Sequence, residues 1–394
     1  MAPALEGVKV LDLSSYIAAP YAGQLLADQG AEVVKVERPE GDPARRMPGF
    51  IVWNRGKKGI TLDLKTREGQ EAARRLALAS DVVIENFRPG TAERYGLGYE
   101  QLRANNPRLV YCSMSAFGSK GPYRDKSGWG PLIEARAGVF AGQAGPASDP
   151  PIYTLLPFSS YFGAILAAQG IVVALYVREL TGRGQRVDVP LYNALMTAQS
   201  GGLVSFEGSK RLASGNQQGS IPDYRLYEAG DGQWLFVACG NPKFWHNLCV
   251  LLDHPEWISD PRYANVPFVF APEDALELIA TLQGIFRTKP RDEWLRLLRE
   301  ADVPCSPVTR VDEFLDDPQV IANEMVIELE DPVMGRGRQM GFPAKLRATP
   351  GRIQGPAPLL GQHTDEVLAG IGYTTEEIAR LRDAGVTAAA GKER

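Results

Sequence analysis

The sequence predicts an α/β protein: a large domain built on a parallel sheet, followed by a smaller α+β domain. Three observations carry this expectation. Short runs rich in β-branched residues alternate with helix-length segments through the first 200 residues. Those runs are apolar on both faces, as strands of a sheet covered on both sides must be. Beyond residue 222 the beat changes to a hairpin followed by several short helices.

The first strand is VKVLDLS (8–14), and PYAGQLLADQGA (20–31) has helical spacing that closes at Gly30. AEVVKVERP (31–39) and GITLDLK (59–65) are again strands, and TREGQEAARRLALAS (66–80) is a helix. The strand DVVIENF (81–87), the helix YEQLRANNP (99–107) and the strand LVYCSMSAF (109–117) continue the alternation. A nearly all-apolar run from Tyr161 to Val177 predicts a buried helix over about 160–180. It stops at the turn TGRGQ (181–185), and the strand QRVDVPL (185–191) extends the sheet. YRLYEAGDGQWLFVAC (224–239) is two strands around Gly-Asp-Gly, a hairpin signal. Helices follow at 242–252, 272–286 and 290–301. In TTEEIARLRDAG (374–385), Thr374 and Glu377 fit a capping box and Gly385 a stop. The tail AAAGKER is expected to fray.

Composition narrows the partners. Charged residues make up 23% of the 394 and the formal net charge is −4, which argues against a nucleic-acid or membrane-surface role. Cys112, Cys239, Cys249 and Cys305 form no CxxC pair, so neither a zinc ribbon nor a disulfide framework is indicated. The start, MAPALEGVKVLDLSS, has no basic segment leading into an apolar one, so no secretory signal is read there. The run 161–177 sits at the short limit for a membrane span and contains Gln169 and two glycines; a core helix is the better reading. A soluble, cytoplasmic protein without a membrane partner is expected.

Several chemistries are missing. The turn after the first strand reads Ser14-Ser15-Tyr16-Ile17-Ala18-Ala19-Pro20. It has no glycine to let a pyrophosphate approach the backbone, so a nicotinamide enzyme is disfavoured. No P-loop and no GxSxG elbow occur. His246, His254 and His363 have no metal-ligand spacing, read as surface or structural residues, and imply no metal site. What is present is a set of cations just past strand ends, where open α/β sheets bind ligands. Arg38 follows the second strand, Arg88 follows the run at 81, and Arg94 comes one turn later. Together they are placed to hold phosphates through charge-assisted bonds. Leu62 and Lys65 are placed to flank an aromatic base.

Four stretches carry a resemblance. GVKVLDLSSYIAAPYAGQLLADQGAEVVKVERPEGD (7–42), NRGKKGITLDLKTREGQE (54–71), the segment from DVVIENFRPG (81–90) to GSKGPY (118–123), and LYVRELTGRGQRVDVPLYNA (175–194) resemble the class III CoA-transferases. That is the family of formyl-CoA transferase and carnitine CoA-transferase. The likeness is nearly continuous from about residue 5 to 200 and weaker to about 385, including SGN (214–216). It implies a Rossmann-like CoA-binding domain over 1–200, a linker over 201–222 and a small domain over 223–325. Residues 326–394 would then return to the large domain and end in its C-terminal helix, with two chains threaded as interlocked rings. It also implies that Arg38, Leu62, Lys65, Asn86, Phe87, Arg88 and Arg94 meet the adenine and phosphates of CoA, with Ser15 and Tyr16 near the pantetheine. CoA or acyl-CoA is then a substrate or ligand, with no tightly bound cofactor.

The same resemblance exposes a departure. Family members carry a catalytic aspartate at a fixed distance before TGRGQ, and here that position is Ser160. The aspartate forms a mixed anhydride; a serine ester is far less activated, and no nearby sequence supplies a base for a serine nucleophile. Ser159 and Ser160 are therefore read as helix caps. Ile17 stands where some members have a glutamine, and Gly128-Trp129-Gly130 where many have Gly-aromatic-Asp. Three readings follow. The first is a non-catalytic subunit paired with a related chain that bears the aspartate, as in benzylsuccinate CoA-transferase. The second is a self-sufficient acyl-CoA lyase, hydratase or isomerase, acting as a homodimer. The third is a CoA-binding protein without turnover. No histidine precedes residue 246, which closes the racemase branch, and the acids Glu134 and Asp125 have no assignable place from sequence. Trp129, Tyr161 and Phe162 hint at an apolar or aryl acid, although such residues are commonly core.

Overall fold

The computed structural model describes residues 1–143, 150–207, 217–263, 270–388, 390 and 391, so the SGN stretch lies outside the described residues. The chain forms two compact units. One comprises Met1–Ala137, Thr154–Glu207 and Leu315–Arg394; the other comprises Gly138–Tyr153 and Gly208–Phe314.

The first unit holds six strands: β1 (Lys9–Asp12), β2 (Glu32–Glu37), β3 (Lys58–Thr61), β4 (Val82–Glu85), β5 (Val110–Ser113) and β6 (Arg186–Asp188). Their order is β3-β2-β1-β4-β5-β6 and every neighbouring pair is parallel. The chain begins in the middle and winds outward in both directions, so the direction of winding reverses between β1 and β4, where such sheets bind ligands. Alternate residues of β1 enter opposite cores. Leu11 joins Ile60, Leu76, Val83 and Tyr111 on one face, together with Leu368 and Leu381 from the end of the chain. Val10 joins Ala22, Leu26, Val33, Ile84 and Val110 on the other.

That second face is closed by the long helix Phe158–Thr181, packed along helix Ala18–Asp28. Its inner side is small, with Ala164, Ala167 and Ala174 beside Ile171 in the core, so the two backbones approach closely. A Cβ added at Gly163 would lie 2.5 Å from Leu191 Cδ2. The helix ends at Gly182 in the left-handed region, φ 72°, whose N–H donates to the Arg178 carbonyl. The outer side is different: Ile165, Val172, Val173, Tyr176 and Leu180 form an exposed stripe. Among the described residues, this is the one helix long and apolar enough to cross a membrane. The two serines at its start are not caps. The N-cap is Pro157 with no side-chain cap bond, and the helix starts at Phe158, so Ser159 and Ser160 lie inside its first turn.

The second unit carries the antiparallel sheet β7 (Tyr224–Glu228), β8 (Trp234–Ala238) and β9 (Cys305–Pro307). The hairpin turns where Gly-Asp-Gly predicts, with Gly232 at φ 77°. Helices Pro242–Leu251, Pro272–Phe286 and Arg291–Glu300 cover it, and Tyr227, Trp245, Phe286 and Trp294 fill the core.

The returning segment contains the hairpin β10 (Val326–Asp331) and β11 (Gly335–Met340). Its base is held by a buried cation. Arg55 pairs with Asp28 at 2.6 Å and donates to the carbonyls of Met340 and Gly341. Helix Thr375–Asp383 has both bonds of the capping box, from Thr374 and Glu377. Fraying does not begin at residue 388. Ala388 N–H donates to Thr61 Oγ1 at 2.9 Å and Gly391 N–H to the Leu360 carbonyl at 2.8 Å.

Arg55→Met would leave Asp28 as an unpaired buried charge. It is expected to cost about 3–5 kcal/mol, read as a lowered midpoint in urea unfolding.

Candidate functional site

The site begins where β1 runs out. Asp12, the last residue of β1, is buried and pairs with Lys57 Nζ at 2.8 Å. Lys57 also donates to the Pro20 carbonyl at 2.6 Å and to Asn54 Oδ1 at 3.0 Å. Lys35, fully buried on β2, donates to the Ser14 carbonyl at 2.9 Å and pairs with Asp42 at 3.0 Å. Burial alone would raise the Asp12 pKa, but Lys57, Lys35 and the hydrogen bonds outweigh it and hold the carboxyl below its usual range. Burial pulls Lys57 down to about 8 against the attraction of Asp12. Asp42 then turns its carboxylate to the Tyr16 N–H at 3.2 Å. Tyr16 sits at φ 69°, a left-handed conformation uncommon for an aromatic residue. Asn86 completes the hold: it donates to the Ser15 carbonyl at 2.7 Å and accepts the Ser15 N–H at 3.1 Å. The loop 14–17 is thus pinned at successive residues.

Above this loop lies a cavity of about 130 Å³ at the carboxyl ends of β1 to β4. Ser15, Arg38, Leu62, Lys65 and Phe87, all predicted from sequence, line it. Asp42, Asp63, Leu64 and Tyr95 line it too, and sequence reasoning did not single these out. Arg88 and Arg94 lie on the same side. Arg94 rests over the ring of Tyr95 at 5.6 Å, and Arg88 reaches Ser127 Oγ at 2.9 Å. Tyr16 is not part of the lining; its ring meets Trp129 instead, edge to face at 4.6 Å. Arg38, Lys65, Arg88 and Arg94 are exposed, and none forms an ion pair among the described residues. Unpaired cations beside an apolar slot suit a ligand with a flat ring and several phosphates. Glu85, at the end of β4, lies beneath. Its carboxylate accepts the Phe87 N–H at 2.7 Å, and burial pushes its pKa up to about 7, against weaker opposing pulls from Ser113, Phe87 and Arg186.

A second cluster surrounds Ser160. Glu134 on helix Gly130–Arg136 is buried, and its Oε1 accepts the Ser159 N–H at 3.0 Å and the Ser159 hydroxyl at 2.8 Å. The carboxylate thus caps the long helix from a neighbouring element, and an acid does stand beside the serines, contrary to the sequence expectation. A Cβ at Gly130 would lie 3.3 Å from Ser159 Oγ, 3.7 Å from Ser160 Oγ and 3.8 Å from Glu134 Oε1. Asp125, the other candidate acid, is exposed beside Arg124. Tyr21 and Tyr161 meet edge to face at 5.8 Å, which places the starts of helices 18–28 and 158–181 side by side. Ile17, Tyr16 and Tyr21 pack against Phe50 and Trp53. No group of three or more His, Cys, Asp or Glu side chains able to hold a metal occurs among the described residues.

The sequence profile of the CoA-transferase family III matches residues 5–364. The chain belongs to CoA-transferase family III. It is 36% identical to the succinyl-CoA–D-citramalate CoA-transferase of Chloroflexus aurantiacus over 96% of both chains. It is 32% identical to the succinyl-CoA–L-malate CoA-transferase alpha subunit of the same organism, over 96% of this chain and 91% of that one. Among solved structures, a CaiB/BaiF family protein from Brucella suis superimposes with a TM-score of 0.81 at 32% identity, covering 94% of this chain and all of that one. Proteins of family III use CoA thioesters as substrates, which suits the cations and slot at the strand ends.

Glu85 gives this family III protein a pH signature. The ordinary carboxyl titrates near 4.5 and the folded one near 7, so folding takes up a proton between them. The stabilisation is full below about pH 4.5 and is lost as pH rises through about 7. The thermal stability of the native chain is therefore expected to fall from about pH 5 to 7 relative to Glu85→Gln, which lacks this slope.

Proposed function

We propose that this family III member binds CoA thioesters across the carboxyl ends of β1 to β4 and is the non-catalytic subunit of a heteromeric CoA-transferase. The assembly would move CoA between an acyl-CoA such as succinyl-CoA and an organic acid. One observation carries the reading: Arg38 and Lys65 line the cleft without an ion-pair partner among the described residues, while Ser160 stands where the resemblance places the family's attacking aspartate. An aspartyl anhydride passes its acyl group on readily, and a seryl ester does not. Ser159 offers no substitute, because its hydroxyl is buried and committed to Glu134.

The partner is a related chain carrying the aspartate. Two observations support an assembly. The outer stripe of helix 158–181 exposes Tyr176 at 66% and Leu180 at 69%, an apolar surface that a second chain would cover. A relative over nearly the whole length is itself an alpha subunit. Interlocked rings are the arrangement the resemblance implies, in a soluble, cytoplasmic enzyme. A second reading, a self-sufficient lyase, hydratase or isomerase in a homodimer, draws on Glu134, a buried carboxylate near the reacting end. A CoA-binding protein without turnover is the third.

Native mass spectrometry of the protein from its own host is expected to show this chain with a different subunit of similar mass. The chain purified alone is expected to bind CoA and to transfer nothing. Transfer by the lone chain at ordinary enzymatic rates overturns the subunit reading. Arg38→Ala and Lys65→Ala each remove a charge-assisted contact of about 1.5–3 kcal/mol. Each is expected to weaken CoA binding by about tenfold or more in calorimetric titration.

A further inference from the structure

We infer that the C-terminal segment from Pro358 to Ala388 positions the Leu62–Lys65 wall of the cleft, and that His363 is a positioning residue whose neutral ring fastens it, so that ligand binding weakens in acid. The inference rests on the reading that the cleft holds CoA, and it adds a regulation of that site.

β3 is an edge strand of the six-stranded sheet. An open edge presents unpaired N–H and C=O groups, which a fold must cover or leave to another chain. Just past β3, Leu62 N–H points toward β2 and donates to the Glu37 carbonyl at 2.8 Å. Gly59, Thr61 and Asp63 therefore turn their N–H groups outward, and the C-terminal segment supplies a partner for each. Gly59 N–H donates to His363 Nδ1 at 3.1 Å, Thr61 N–H to Thr364 Oγ1 at 3.2 Å and Asp63 N–H to the Val386 carbonyl at 2.8 Å. In return, His363 N–H donates to the Gly59 carbonyl at 2.9 Å and Ala388 N–H to Thr61 Oγ1 at 2.9 Å. The approach is so close that a Cβ on Gly59 would lie 2.8 Å from Pro358 Cγ.

The covered stretch runs directly into the cleft, where Leu62, Asp63, Leu64 and Lys65 form part of the lining. Leu62 is fully buried and shares its core with Leu368, Leu381 and Val386. Asp63 passes the hold on to Lys65. Its Oδ1 accepts the Lys65 N–H at 2.9 Å, and its carbonyl accepts the Thr66 hydroxyl at 2.7 Å. The wall that carries the Lys65 ammonium is thus set from behind by the end of the chain.

Among the acceptors along this edge, a hydroxyl and a carbonyl do not change with pH, whereas a ring nitrogen does. Nδ1 of His363 accepts the Gly59 N–H only while it carries no proton. In acid it becomes a donor itself and leaves the Gly59 N–H without a partner. Burial lowers the His363 pKa from its ordinary value of 6.5; Glu366 pulls the other way and Lys58 adds to the lowering. Lys58 pairs with Glu366 at 2.9 Å and with Glu32 at 3.1 Å. Hydrogen bonding to Glu366 holds the Lys58 pKa up, and hydrogen bonding to Lys58 holds that of Glu366 down, so both stay charged where the ring titrates. The fastening is complete above the ordinary value of a histidine and is lost as pH falls through the lowered one.

The test is calorimetric titration of the full chain with CoA at about pH 7.5 and about pH 5.5, for the native protein and for His363→Asn. The Asn amide oxygen can accept the Gly59 N–H, and it takes up no proton in this range. Glu85 and the phosphates of CoA titrate with both proteins, so the difference between the two belongs to His363. From the higher pH to the lower, the native affinity is expected to fall about threefold more than that of His363→Asn. Amide hydrogen exchange over residues 57–64 is expected to lose protection in acid in the native chain and to keep it in His363→Asn. Equal pH dependence of the two proteins, with CoA bound by both, overturns this inference and leaves the CoA reading standing. No binding of CoA by either protein at either pH overturns both.

Discussion

Four charges withdrawn from water organise the carboxyl ends of the central strands. Asp12 and Lys57, Lys35 and Asp42 are all buried, and each also bonds to a backbone group of the loops around them. Taking ions out of water is costly, and attraction in a dry interior repays that only with good geometry and further hydrogen bonds. Here the further bonds go to Ser14, Tyr16 and Pro20, the residues that carry the chain from β1 into helix 18–28. A loop without glycine is thereby held close to the cleft, with its strain offset by the network rather than by local flexibility.

The network also separates two uses of charge. Cations that hold the fold are paired and hidden, as Arg55 with Asp28 and Arg45 with Glu37 show. Arg38, Lys65, Arg88 and Arg94, just past the strand ends, are exposed and form no ion pair among the described residues, so an anionic ligand would not have to displace a carboxylate there. Between the two lies Glu85, whose burial makes its ionisation sensitive near neutral pH directly under Phe87.

Much of the large unit was legible because burial on both faces leaves a simple sequence pattern. Boundaries were less so. LVYCSMSAF reads as nine strand residues because Met114 is still buried after the ladder ends, yet β5 stops at Ser113. The cleft cations were legible because a charge directly after an apolar run marks a strand end. What stayed hidden were contacts between distant positions. Tyr16 and Asp42 are 26 residues apart, and Glu134 and Ser159 are 25 apart; neither pair has a local signature. Two serines before an apolar helix look like caps, and only the fold shows that a remote carboxylate has that task. The same fold ties Ala388 and Gly391 into the body, which a tail of small and charged residues does not advertise.

Helix 158–181 has a consequence for the life of the protein in the cell. One side belongs to the core and the other is an apolar stripe, so its state is linked to whatever occupies that stripe. A binder that recognises only the folded chain adds to its stability by mass action. Were a second chain to cover the stripe, the amount of folded protein would track the supply of that chain, and unmatched copies would become substrates for chaperones and proteases.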